Sequence, residues 1–210
     1  MWILLGCAAL CLGACLPLYL HYKPLKLSLA VCFKSLGTLC AMVPALTAAL
    51  KLDPVYWIFV AAIALHAAAD SLLEYVFGIG LGCFLLGHVC YIIGFLRLFS
   101  PGTAHLILLV CFAGFLAWVL YKNRAAIGKN MLPFAVYGLV LSLMASCGIA
   151  GGATVYAWKG VMVALGAALF FFSDYMVFQN LLYPGRFRLD WLIMGAYYLA
   201  QLLLGGSCLF

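Results

Sequence analysis

Long apolar runs follow one another along nearly the whole chain, separated by breaks of only a few residues, and this feature leaves few folds open. A bilayer's hydrocarbon layer is about 30 Å thick, which about 20 residues of α-helix will cross. Inside it every backbone N–H and C=O must find its partner within the chain. A spanning strand would alternate polar and apolar residues, and no such alternation runs through this sequence. The expected fold is therefore all-α: a polytopic membrane helical bundle of eight transmembrane helices, forming a single integral membrane domain over residues 1–210. The spans fall at about 1–20, 27–50, 55–77, 79–99, 104–121, 131–149, 159–182 and 190–209. Hydrophobic residues make up 69% of the chain and charged residues 8%, too little charge to clothe a water-facing surface.

The breaks carry turn-forming and polar residues: HYKPLK, KLDP, FGIG, SPG, YKNRAAIGKN, GIAGGAT and LLYPGRFRLD. The glycine-rich FGIGLG predicts a tight hairpin between the third and fourth spans. The first run has no basic leader and no clear cleavage site, so it reads as a spanning helix and not as a signal peptide. The ten cysteines all sit in apolar runs and none forms a C-x-x-C pair. Packing is the expected role for them, and no metal site or cofactor is expected.

The net charge of +6 points to basic loops meeting anionic lipid, not to a nucleic-acid partner. Lys23, Lys26, Lys122, Arg124, Lys129, Arg186 and Arg188 lie in the first, fifth and seventh loops, against Lys51, Arg97 and Lys159 on the other side. The positive-inside rule then places the odd-numbered loops in the cytoplasm and both termini outside. In a bacterium this would be a multi-pass protein of the cytoplasmic membrane. No targeting signal is legible, and the oligomeric state is left open.

Charged groups cost about 2.5–3.5 kcal/mol at mid-bilayer on insertion scales, so those within spans usually face the bundle interior and carry function. Here they are Lys34, His66, Asp70, Glu74, His88 and Asp174, in the company of Tyr91, Ser173, Gln179, Tyr197, Tyr198 and Gln201. Counted at 1.5 Å per residue, Lys34, Asp70, His88, Asp174 and Tyr198 each lie roughly 10–14 Å from the odd-loop end of their span. Five helices thus place polar groups in one slab. ALHAAAD (64–70) and ALFFFSD (168–174) echo each other on the third and seventh spans, which would be equivalent in two four-helix halves. Simple interhelical hydrogen bonding is an equal reading for His66, Gln179 and Gln201. Glu74 and Arg97 can reach an interface by extending their stems.

Four stretches resemble the lysoplasmalogenase-like family of integral membrane proteins: FKSLGTL (33–39), HAAADSLLEYVFGIGLGCFLLGHVCYIIGF (66–95), GAALFFFSD (166–174) and GAYYLAQLLLGGS (195–207). Ala69 stands where the family usually has glycine before its first aspartate, and His66 and Glu74 are not part of the shared pattern. The resemblance implies hydrolysis of the vinyl ether in a 1-alkenyl lysophospholipid, releasing a fatty aldehyde and glycerophosphoethanolamine or glycerophosphocholine. The expected partners are this lysophospholipid substrate and membrane lipid.

Such a bond breaks by protonation of the β-carbon, capture of the oxocarbenium ion by water, and collapse of the hemiacetal. One protonated acid and one anion suffice. Burial favours the neutral form of a carboxylic acid, and two neighbouring carboxyls can share a proton. This division of labour resembles two-carboxylate glycoside hydrolysis. Asp70 and Asp174 are the catalytic candidates. Lys34, His88, Tyr91, Ser173, Tyr197, Tyr198 and Gln201 are the substrate-binding or supporting ones, with Lys34 pairing with an aspartate or meeting the phosphate. The chain has no H-E-x-x-H, G-x-S-x-G or P-loop motif. The alternatives are a small transporter or channel using intramembrane Asp, Lys and His, or a non-catalytic lipid-binding protein. A transport path needs polar groups across the whole membrane, and the half toward the termini has few beyond His66.

Overall fold

The computed structural model describes residues 2–155, 157–184 and 189–210. Eight long helices make up the bundle: α1 Trp2–Tyr22, α2 Leu27–Lys51, α3 Trp57–Tyr75, α4 Phe77–Leu98, α5 Thr103–Lys122, α6 Met131–Ala153, α7 Trp158–Leu182 and α8 Asp190–Ser207. No strand occurs among the described residues. Short helical turns at Pro54–Tyr56 and Arg124–Asn130 lead into α3 and α6.

Seven of the eight are long and apolar enough to cross a membrane; α8 is not in that group. It carries Asp190, Tyr197, Tyr198 and Gln201 within 18 residues, and the last three are buried inside the bundle. Its polar groups are satisfied by other helices and not by lipid, so a low average apolarity does not expel it.

Three spans differ from the sequence expectation at their ends, each through glycine. Val76 alone separates α3 from α4, and the expected FGIG turn is the first turn of α4. A Cβ on Gly80 would strike the Leu73 backbone, so its absence lets the two helices meet this closely. The glycine-rich end of α6 stays helical to Ala153, where Gly152 lies against the Gly160 carbonyl and the Ala164 amide of α7. In lipid a helix that stopped early would leave backbone groups without partners, so glycine is tolerated there more than in water. In α1 the residues Ala9–Cys15 widen into a π-helical stretch just before Pro17, which has no N–H to give.

The packing pairs repeat between α1–α4 and α5–α8. Within the first half α1 packs on α2, α2 on α3 and α3 on α4; within the second α5 packs on α6, α6 on α7 and α7 on α8. Across the halves α8 packs on α2, and equivalently α4 packs on α6. Four antiparallel crossings bring α1 and α5 back to the same direction, the arrangement of parallel repeats about an axis along the membrane normal. His66 and Phe170, equivalent in the two echoing segments, touch with ring centroids 5.0 Å apart, as residues beside such an axis do.

Candidate active site

Two hydrogen-bonded clusters form where the halves meet, each around one of the candidate aspartates. Asp70, on α3, is fully buried. Its Oδ2 accepts from Thr38 Oγ1 of α2 at 2.5 Å and from Tyr197 OH of α8 at 2.9 Å. Lys34 Nζ of α2 stands 3.9 Å from Asp70 Oδ1 and 3.4 Å from Glu74 Oε1. Lys34 therefore pairs with a carboxylate, one of the two expectations for it. Glu74 is exposed, as an interfacial residue should be, yet it also shares the ammonium. Lys34 and Thr38 are one turn apart on α2, and Asp70 and Glu74 one turn apart on α3, so each helix presents its pair on one face.

Asp174, on α7, is propped in the equivalent way. Its Oδ2 accepts from Tyr137 OH of α6 at 2.5 Å and meets His88 Nε2 of α4 at 3.2 Å; His88 and Tyr137 are themselves 3.1 Å apart. Each aspartate thus takes a hydroxyl donor from the preceding helix of its own half and a polar partner from the last helix of the other half.

Both clusters face one cleft of about 120 Å3, lined by Lys34, Asp70, Phe84, Phe134, Tyr137, Asp174 and Tyr197 among others. Leu73, Phe77 and Leu181 also line it, which sets it near the odd-loop ends of α3, α4 and α7. Of the five residues brought to one depth by counting, Lys34, Asp70 and Asp174 line this cleft, and His88 and Tyr198 do not.

Several expected supporting residues act elsewhere. Tyr91 OH donates to Gln201 Oε1 at 2.6 Å, and Gln201 Nε2 reaches Tyr197 OH at 3.4 Å. Both are buried behind the cleft, so Tyr91 holds α4 to α8, while Gln201 holds the tyrosine that holds Asp70. Tyr198 OH donates to the Lys34 carbonyl at 3.0 Å and fastens α8 to α2. Its neighbour Tyr197 is the one that meets the carboxylate, because consecutive helical residues point about 100° apart. Ser173 lines the cleft, but its Oγ donates to the Ile193 carbonyl of α8 at 3.1 Å and not to Asp174. His66 packs against His88, Phe84, Tyr91 and Phe170. Its two ring nitrogens and His88 Nδ1 are buried without a hydrogen-bond partner among the described residues. Arg186 and Arg188 lie outside the described residues.

Thr38 and Tyr137 were not among the expected site residues. A hydroxyl four residues after an intramembrane lysine was a usable signal for Thr38. Tyr137 had none, since it lies alone in the apolar segment FAVYGLVL. Among the described residues no three His, Cys, Asp or Glu side chains converge as metal ligands.

Compared with known proteins, residues 29–208 match the model of the YhhN family. The chain belongs to the YhhN family. That family includes lysoplasmalogenases, in agreement with the resemblance carried by the four sequence stretches. No curated protein and no solved structure matches the chain. The match begins within α2 and runs to the end of α8, so every residue of both aspartate clusters lies inside it.

Proposed function

We propose that this YhhN-family protein is a membrane hydrolase that cleaves the vinyl ether bond of lysoplasmalogens, giving a fatty aldehyde and glycerophosphoethanolamine or glycerophosphocholine. The observation that carries the reading is that Asp70 and Asp174, from opposite halves, line one cleft within the membrane together with Lys34. Membership of a family that includes lysoplasmalogenases supports it.

We assign the two roles from the partners of each carboxyl. Asp70 has an ammonium within 3.9 Å and two hydroxyl donors, partners that suit the ion-stabilising role. Asp174 borders Phe134 and Phe178 and forms no ion pair with a lysine or arginine among the described residues, and it is given the proton-donor role. Asp174 gives its proton to the β-carbon of the alkenyl group and leaves an oxocarbenium ion. Asp70 stabilises that ion and takes a proton from the water that attacks the α-carbon. The hemiacetal hydroxyl proton passes to the glycerol oxygen as its C–O bond breaks, giving aldehyde and glycerol hydroxyl, and the proton taken from water moves from Asp70 to Asp174. Lys34, shared between Asp70 and Glu74, would also meet the phosphate in this reading.

The transport reading is less well supported. Toward the termini the bundle is closed by Tyr56, Phe59, Tyr91 and Phe95, packed ring on ring. With the basic loops inside, the cleft would face the cytoplasmic side.

The test is aldehyde release from lysoplasmenyl-ethanolamine by purified protein, with a saturated ether lysolipid as control. Asp70→Asn and Asp174→Asn should each abolish release while keeping the thermal transition of the folded protein. Activity near the wild-type level in either variant refutes the mechanism. Added formic acid should restore part of the activity of Asp174→Ala but not of Asp70→Ala, and the reverse result exchanges the two roles.

A further inference from the structure

Asp174 borders two cavities, and only one of them is the cleft it shares with Asp70. The second, of about 60 Å3, lies between α5, α6 and α7, with Phe115, Leu116, Gly138, Leu141 and Phe171 in its wall. Phe134, Tyr137, Asp174 and Phe178 line both, so the two spaces adjoin at the carboxylate. The second wall is almost entirely hydrocarbon. Its Ser142 hydroxyl is turned back on the Gly138 carbonyl at 2.7 Å, and its Tyr137 hydroxyl is held by Asp174. An apolar cavity of this kind stays dry and takes apolar guests.

The outer wall is the part of the bundle nearest to lipid. Among α5 residues only Val119 is buried. The helix lies along α6 but reaches α7 through rings: Phe112 on Phe171 at 4.5 Å between centroids, and Phe115 on Tyr175 at 5.4 Å. Side chains, not close-packed backbones, therefore fill the seam between α5 and α7, where side-chain rotation can change its width without moving a helix.

We infer that the second cavity takes the first few carbons of the hydrocarbon chain of a single-chain lysolipid, that the rest of the chain runs out through the α5–α7 seam into the bilayer, and that Gly138 and Leu116 determine which chains pass. The polar head then lies in the cleft with Lys34, and the bond joining head to chain falls at Asp174, where the spaces meet. Gly138 is the narrow point. A Cβ there would overlap the Leu116 Cδ1 methyl and come within 3.2 Å of its Cδ2, so any larger residue displaces Leu116, itself part of the cavity wall. Placing the reactive bond rests on the proposed activity; the chain site itself does not.

The experiment uses the full-length protein in nanodiscs with two substrates, octadecenyl and butenyl glycerophosphoethanolamine. In Gly138→Leu the ratio of kcat/KM for the long chain to that for the short one should fall about tenfold or more, the effect of one or two misplaced methylenes. Leu116→Ala, which widens the same point, should raise turnover of a branched-chain analogue relative to the linear one. Leu116→Phe narrows it from the other wall and replaces Gly138→Leu should that variant not purify. In parallel, binding of a stable saturated octadecyl ether lysolipid is read by thermal shift. Aldehyde release with unchanged ratios in all variants overturns the chain site and leaves the activity standing. Binding of the ether lipid that Gly138→Leu weakens, without aldehyde release by wild type, supports the chain site and overturns the activity. Neither binding nor release overturns both.

Discussion

Tyr137→Phe isolates one bond of the proposed acid. The substitution removes a hydroxyl 2.5 Å from Asp174 Oδ2 and 3.1 Å from His88 Nε2. It leaves the ring that packs against His88 at 5.6 Å between centroids. A hydrogen bond to a charged group contributes about 1.5–3 kcal/mol, and Asp174 gains its charge as it gives up its proton; each 1.36 kcal/mol of barrier is about tenfold in rate. If the hydroxyl orients Asp174 toward the alkenyl carbon, kcat should fall by about 10- to 100-fold. Folding should suffer less, by about 1 kcal/mol, because His88 still meets the carboxyl and the cleft lies beside it. The assay is continuous aldehyde release, coupled to an aldehyde dehydrogenase, alongside thermal unfolding of the same preparation. A kcat within twofold of wild type at equal stability would refute the assignment of Asp174 as a reacting group held by Tyr137.

Two further outcomes follow from the packing. Lys34→Met removes the cation beside Asp70 and Glu74 and should destabilise the fold by about 3–5 kcal/mol, as when one partner of a buried pair is lost. Adding Asp70→Asn should recover much of the thermal transition but none of the aldehyde release, and equal transitions in the single and double variants would show that the pair is not coupled. Gly205→Ala places a methyl against the Ala41 carbonyl, where α8 meets α2, and should cost about 1–3 kcal/mol of stability. Gly13→Ala, which meets nothing within 4 Å, is the control, and similar melting temperatures would argue against the α8–α2 contact.

How far the sequence reveals this site depends on the residue type. Apolar runs show the helices because hydrocarbon admits no other backbone, although α8 is apolar only in part and its burial inside the bundle is what accommodates it. Asp70, Asp174 and Lys34 stand out because charge is costly in lipid, and counting residues from the span ends brings them to one depth. The same counting cannot choose between Tyr197 and Tyr198: both are buried, at nearly the same height, on faces about 100° apart. Nor does it find Tyr137, since a lone tyrosine in a span costs little and so signals little. The destination of Ser173, a carbonyl on α8, depends on a tertiary contact with no local trace.

The crossed propping of the two aspartates has a consequence for how the protein could be divided. A break in the chain between Leu98 and Thr103 would give two polypeptides, each with four complete helices and one of the two cleft aspartates. Yet Tyr197 would be missing from one and His88 from the other. Neither fragment would own a finished carboxylate niche, and co-expression would have to restore both at once. The protein therefore has the logic of a dimer written on one chain, in which each part is completed by the other.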